Sequence, residues 1–290
     1  MTNTVLTGID GSPQSEAAAL WAAEEAERRG AALEVLHVRP WLAPEDTGRA
    51  RHEDLRPAAL AALAELADRI RQLHPELPVE ARTVGADPVD GLVAAAKGKD
   101  VVVLGSRGLG GFAGLLVGSV GLAVAARVEV PLVLVRADGG TSDSGRGARR
   151  EVLVGVDADR PADAVLEFAF AEAARRGARL RAVHAWDLVP VWAAAGWVPP
   201  QVDLARQEPA EQAALAAALA PARAAHPEVE VVAETRIGGA AAALVGASAG
   251  AELVVLGRRD NRLRLGMRLG PVLHAVVHHA TAPVAVVPHP

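Results

Sequence analysis

Residues 101–120, VVVLGSRGLGGFAGLLVGSV, decide how the rest of the chain is read. Val101–Leu104 is an unbroken apolar run without polar alternation, which predicts a strand buried on both faces inside a parallel sheet. Gly105 ends it. Gly108, Gly110, Gly111 and Gly114 follow, then Gly118-Ser119, then an Ala-rich apolar run to Arg127 that predicts a helix with Ser119 as its N-cap. Glycines between the carboxyl end of a strand and the amino end of a helix let backbone N–H groups approach a ligand closely. The helix start adds orphan donors and positive dipole, so the segment is suited to cradling phosphate. A glycine-rich turn that only serves packing is the plainer alternative. The stretch from Gly108 to Ala126 carries no charge, but six of its positions are Gly and it sits in a strand–turn–helix–strand pattern ending at Pro131–Val135. A membrane-spanning helix is therefore not expected.

The spacing separates this loop from other phosphate-binding loops. No Lys lies between Gly105 and Arg127, so the G-x4-G-K-S/T loop is absent. A dinucleotide-type G-x-G-x-x-G is not matched either, since Ala113 stands where its third glycine belongs. Gly105-x2-Gly108-x9-Gly118-Ser119 instead closely resembles the G-x2-G-x9-G-S/T signature of the ATP-binding branch of the universal stress protein family.

The chain is also duplicated. Val5-Leu6-Thr7-Gly8-Ile9-Asp10 recurs as Val152-Leu153-Val154-Gly155-Val156-Asp157, an offset of 147. Arg28-Arg29-Gly30-Ala31 returns at the same offset as Arg175-Arg176-Gly177-Ala178, Leu33 as Leu180 and His37 as His184; Val102–Gly105 matches Val254–Gly257 at an offset of 152. A domain-sized period means two copies of one fold. Between them ADGGTSDSGRGAR, residues 137–149, reads as a flexible linker, giving domains at 1–136 and 150–290. Within a copy, strand and helix patterns alternate, which predicts an α/β fold with a mostly parallel sheet covered on both faces. The first helix carries its own punctuation: Ser12 as N-cap, Pro13 at N1 and Gly30 after a last turn ending in Arg28 and Arg29.

The resemblance covers nearly the whole chain and implies two tandem doubly wound domains, each a five-stranded parallel sheet in the order 3-2-1-4-5. In an open sheet of this kind ligands bind where the winding reverses, here between strands one and four, so Gly8-Ile9-Asp10 and the glycine loop would face one crevice. It further implies ATP, taken with Mg²⁺, as ligand. Asp10 would contact the ribose or a metal-linked phosphate, Val38 would offer backbone groups to adenine, and Gly105, Gly108, Gly118, Ser119 and Val120 would carry phosphates and ribose. Gly8 and the loop residues Ser106, Arg107, Leu109, Gly110 and Gly111 complete the candidate set. Asp10 ahead of Gly11-Ser12 also reads as an ordinary turn former. The last strands, Pro131–Val135 and Pro283–Val287, lie at sheet edges in this order, and the resemblance implies that they pair between the copies as an intrachain pseudo-dimer. A homodimer is compatible with it as well.

The second copy departs from the signature: Gly257 and Gly270 stay in register, but Asp260 replaces the second glycine and Pro271 the serine. An acidic group where a backbone should approach phosphate is adverse, and Pro removes a helix-start donor. The nucleotide site is expected to be weakened or lost there. Five arginines between 258 and 268 read either as a solvated basic loop or as a site for a different anion. His274-x3-His278, with His279 next, has helical spacing but no third metal ligand in register. Trp186, Trp192 and Trp197 lie in an apolar, Pro-bearing loop that reads as a cover for a crevice, a surface that buries a partner, or plain packing between domains.

Composition bounds the function. With 290 residues there is length for two cores; with no Cys there is no disulfide or thiol chemistry; and a net charge of -5 argues against nucleic-acid binding by the molecule as a whole. The N-terminal MTNTVLTGIDG has neither a basic n-region nor an apolar h-region, so a cytoplasmic location is expected. Near the glycine loop the sequence supplies one acid, Asp10, and one cation, Arg107, which is thin equipment for a kinase or ATPase. At most slow ATP hydrolysis or autophosphorylation is expected, with Ser119 as the hydroxyl. Two rivals stand beside regulatory ATP binding: an ATP-consuming ligase or transferase of the adenine-nucleotide α-hydrolase type, and an interaction module that binds no nucleotide.

Overall fold

The computed structural model describes residues 3–39, 56–106, 118–136, 150–187, 204–260 and 269–290. In the first copy β1 (Thr4–Ile9), α1 (Pro13–Arg29), β2 (Ala32–Val38), α2 (Arg56–Leu73), β3 (Val79–Val84), α3 (Pro88–Ala95), β4 (Val101–Gly105), α4 (Ser119–Ala125) and β5 (Leu132–Val135) follow in order. The second copy repeats this as β6 (Glu151–Gly155), α5 (Asp163–Arg176), β7 (Arg179–Trp186), α6 (Leu204–Ala225), β8 (Val231–Ile237), α7 (Ala240–Ala247), β9 (Leu253–Arg259), α8 (Pro271–His279) and β10 (Val284–His289).

The ten strands form one sheet in the order β3-β2-β1-β4-β5-β10-β9-β6-β7-β8, so each half has the expected order 3-2-1-4-5. Every neighbouring pair is parallel except β5 and β10, which meet antiparallel with Val133 opposite Ala285. That one antiparallel seam is what a two-fold relation between the copies produces, because a rotation axis between two like edges reverses the strand direction.

The apolar runs explain the layers. Alternate residues of a strand point to opposite faces, so a run with no polar position needs cover on both. Val101 and Val103 join a core with Ala18, Ala22 and Ala26 of α1 and Ile70 of α2, while Val102 and Leu104 join a second core with Leu92 of α3 and Val124 of α4. Both cores continue into the second copy, through Phe170 and Leu219 on one face and Leu244 and Val276 on the other. Full burial of side chains such as Ile70 and Phe170 contributes roughly 1.5–3 kcal/mol each.

Local signals act as their chemistry predicts in α1. Ser12 is extended at φ -78° and its Oγ accepts from the Ser15 N–H at 3.2 Å, while Gly30 adopts φ 59° and closes the helix with its N–H on the Ala26 and Glu27 carbonyls. At α4 the expectation is corrected: the N-cap is Gly118 (φ -75°, ψ 156°), and Ser119 is already the first helical residue. The reason is a tertiary hydrogen bond, because the Gly118 N–H donates to the Ser106 carbonyl at 2.6 Å and so fixes 118 as the last extended residue. Residues 137–149, and with them the expected linker, lie outside the described residues, as do Trp192 and Trp197. Among the described residues no helix is long and apolar enough to cross a membrane.

The two copies touch through α1 and α5 as well as through the seam. Glu25 and Glu172, related by the offset of 147, are both fully buried. Arg176 reaches Glu25 at 2.6 Å and also pairs with Glu172; Arg29 reaches Glu25 at 2.6 Å and pairs with Glu172 in turn. The ring is closed by cation–π contacts that obey the same symmetry, Arg29 over Phe168 and Arg176 over Trp21, each 5.7 Å from the ring centroid.

Candidate functional site

In the first copy β1 pairs with β4 in the register Gly8↔Leu104, which brings Asp10 and Ser106 to the same end of adjacent strands. β2 lies on the other side of β1, so the winding direction reverses between β1 and β4, and the crevice opens there. Ser106 is buried, its N–H donating to the Val135 carbonyl at 2.7 Å while its own carbonyl receives the Gly118 N–H. The glycine loop therefore leaves and re-enters the fold at one hydrogen bond. Ser119 and Val120 stand exposed on the first turn of α4 beside that closure. First-turn amides have no partner within their own helix, and Gly118 brings no capping side chain. Arg107, Gly108, Leu109, Gly110 and Gly111 lie outside the described residues.

Two glycines have packing reasons of their own. A Cβ at Gly105 would come within 2.7 Å of the Gln14 carbonyl oxygen, so β4 can run under the first turn of α1 only with glycine there. A Cβ at Gly8 would meet the side chains of Leu92 and Leu104 at 2.7 and 2.8 Å. Asp10 carries out the turn role: its Oδ1 accepts from the Ser12 N–H at 3.0 Å, ahead of Gly11 at φ 84°. The carboxylate is nonetheless on the exposed side of the turn, at the crevice.

Val38 is buried at the end of β2, and two neighbours that motif spacing did not single out for the site flank it. His37 places Nδ1 2.8 Å from the Ile9 carbonyl oxygen, an acceptor, so that nitrogen carries the proton and ties β2 to the residue before Asp10. Its repeat, His184, sits likewise 3.0 Å from the Val156 carbonyl oxygen. Arg39 is buried with Nη2 donating to Thr83 Oγ1 at 2.6 Å. The recurrence of His37 as His184 was a legible signal for the first; Arg39, whose counterpart is Trp186, left none.

The crevice of the second copy is built differently. β9 continues two residues past Gly257, paired with Pro288 and His289 of β10, and the Asp260 N–H donates to the His289 carbonyl at 2.7 Å. The His289 ring occupies the space over Gly257, where a Cβ would meet Nε2 at 2.8 Å. A cavity at this end is lined by Asp157, His184, Trp186 and Arg258, and on its far side by Ala126 and Arg127 of the first copy. Arg258 is not part of a solvated loop: it is buried. Arg262, Arg264 and Arg268 lie outside the described residues. On α8 the rings of His274 and His278 are 4.5 Å apart, and burial, then the neighbouring His274 and His279, hold His278 below the ordinary imidazole value.

A profile of the universal stress protein family matches residues 1–136 and again 148–288. A universal stress protein of Mycobacterium tuberculosis (strain H37Rv) is 34% identical over 97% of this chain and 96% of its own length. Another from Mycolicibacterium smegmatis is 31% identical over 98% and 96%. The crystal structure of a universal stress protein from Archaeoglobus fulgidus superposes with a TM-score of 0.70 over 99% of both chains at 20% identity, a likeness of fold. The duplicated strand order, the glycine loop closed between β4 and α4 and these full-length matches agree: the chain belongs to the universal stress protein family.

Proposed function

We propose that this chain is a regulatory adenine-nucleotide-binding protein whose first copy holds ATP with Mg²⁺. The observation that carries the reading is the Gly105-x2-Gly108-x9-Gly118-Ser119 segment, whose ends are joined by the hydrogen bond from Gly118 to Ser106 at the β1/β4 crevice. The residues present suit such a ligand: exposed first-turn positions at Ser119 and Val120, a glycine-dense loop between them and Ser106, and Asp10 at the rim. Gly8, Gly105, Ser106, Gly108, Gly118, Ser119 and Val120, with Arg107, Leu109, Gly110 and Gly111, would hold the phosphates and ribose; Val38, at the end of β2, would present backbone to the base. Mg²⁺ keeps most of its oxygen ligands from phosphate and water, so a single nearby carboxylate such as Asp10 suffices. Occupancy rather than rapid turnover is the output, since the sequence offers this site one acid, Asp10, and one cation, Arg107.

Equilibrium dialysis of the full chain against labelled ATP tests this. Retention of about one nucleotide per chain is expected, and no retention at millimolar ATP refutes it. Gly108→Asp, which imports the second copy's Asp260, should weaken binding by about tenfold or more through charge repulsion, with the unfolding midpoint unchanged. Unaltered affinity would mean that the phosphates lie elsewhere.

A further inference from the structure

The residues that spoil the nucleotide signature in the second copy build something else. Arg258 occupies the place of Ser106 at the offset of 152, and Asp260 that of Gly108. Because β9 is two residues longer than β4, Arg258 is held in the sheet, and its side chain crosses to the first copy. Its Nη1 donates to the Ala126 carbonyl at 3.3 Å and its Nη2 to the Val128 carbonyl at 2.6 Å. Asp260 Oδ1 holds the same guanidinium at 2.8 Å. The guanidinium is buried, so these charge-assisted bonds act with little screening.

Ala126 is the C-cap of α4. This helix has seven residues, about 10 Å, and its opposite end is Gly118-Ser119-Val120. Gly121, Val124 and Ala125 seat one side of this helix in the core, while its last carbonyls have no partner within the helix. Arg258 supplies such a partner to the Ala126 carbonyl and ties down the chain just beyond the helix through the Val128 carbonyl, and a cation at that end also suits the helix dipole. A small rotation of α4 about either end displaces the amides at the other.

We infer that Arg258, oriented by Asp260, is a positioning residue for the nucleotide of the first copy: it clamps the far end of α4 and thereby sets where the Ser119 and Val120 amides stand. The inference rests on the nucleotide reading above. It gives the degenerate second copy a role in the site of the first, in place of a ligand of its own.

The fold contains a matched control. Arg136, at the end of β5, donates from Nη1 to the His278 and Ala280 carbonyls at 3.3 Å each, holding the end of α8 in the second copy. Both arginines cross between the copies and both bind helix-end carbonyls, but only Arg258 acts on α4. In the full chain, Arg258→Met should weaken ATP binding about tenfold by isothermal calorimetry, in the range of ordinary coupling between sites. Arg258→Lys, which keeps the charge and can serve one carbonyl, should recover part of the loss. Arg136→Met should leave affinity within about twofold of wild type. Equal losses in Arg258→Met and Arg136→Met would reduce both residues to general mortar between domains and overturn the inference. Unchanged affinity in Arg258→Met would do the same.

Hydrogen exchange without nucleotide supplies a second arm. Amides over 122–128 should exchange severalfold faster in Arg258→Met and at the wild-type rate in Arg136→Met, and no acceleration in Arg258→Met overturns the clamp itself. Faster exchange together with a wild type that retains no ATP would instead overturn the nucleotide reading, and Arg258 would be a clamp on α4 with no nucleotide to position.

Discussion

Arg176→Met opens the four-charge ring between α1 and α5 while keeping an unbranched apolar stem against Trp21. In the wild type the side chains of Glu25 and Glu172 are each 1% exposed and that of Arg176 is 3% exposed, so neither carboxylate can turn to water when the guanidinium is removed. Glu25 would keep Arg29 at 2.6 Å and Arg28 at 3.4 Å; Glu172 would keep Arg29 and the half-exposed Arg175 at 2.6 Å. Removing one partner from a buried pair typically costs about 3–5 kcal/mol, and the retained arginines place this case near the lower end, about 3 kcal/mol. Urea unfolding followed by circular dichroism should register the loss as a lowered midpoint. The pH dependence follows from Glu25. Burial pushes its carboxyl up, but Arg176, Arg29 and Arg28 together outweigh that and hold it below its ordinary value of 4.5. A depressed carboxylate stabilises the fold fully above its unfolded value, and that contribution is lost as pH falls from 4.5 through the lowered folded value. The gap between wild type and Arg176→Met should therefore be constant from neutral pH down to about 5 and narrow below it. In the double variant Glu25→Gln/Arg176→Met the cost should be less than the sum of the singles, by about 0.5–3 kcal/mol. A cost for Arg176→Met under about 1 kcal/mol at neutral pH, or one that does not change on acidification, would refute the view that this ring holds the copies together.

Gly105→Ala should destabilise by about 1–3 kcal/mol, because its Cβ meets backbone of α1 that cannot give way, whereas Gly8→Ala meets leucine side-chain ends and should cost less; thermal melts rank the two, and the reverse order would discredit the packing argument. His278 is held below its ordinary 6.5, so the unfolded chain binds its proton first and stability should fall as pH drops through 6.5. His278→Gln should flatten the part of the stability–pH curve just below 6.5, and an unchanged slope would remove His278 from the account.

Much of this architecture is legible along the chain because its causes are local. Val101–Leu104 reads as a doubly covered strand since no polar residue interrupts it, and Ser12, Pro13 and Gly30 delimit α1 by hydrogen bonds made within a few residues. The strand order came from the family resemblance, and the candidate site from the spacing of Gly105, Gly108, Gly118 and Ser119. Where the reading of Ser119 as N-cap failed, the competing partner was Ser106, distant in sequence and brought near by the sheet.

The sequence by itself determined two copies, the α/β alternation and the family, since repetition and periodicity are properties of order along one dimension. Only the tertiary structure decided that Glu25, Arg29, Glu172 and Arg176 form one buried ring and that Arg258 bonds the end of α4. Both depend on the antiparallel β5–β10 seam, which sets one copy against the other. Charges read singly along a chain look like solvated arginines and glutamates; their energies arise only when folding removes water and brings opposite signs within hydrogen-bond reach.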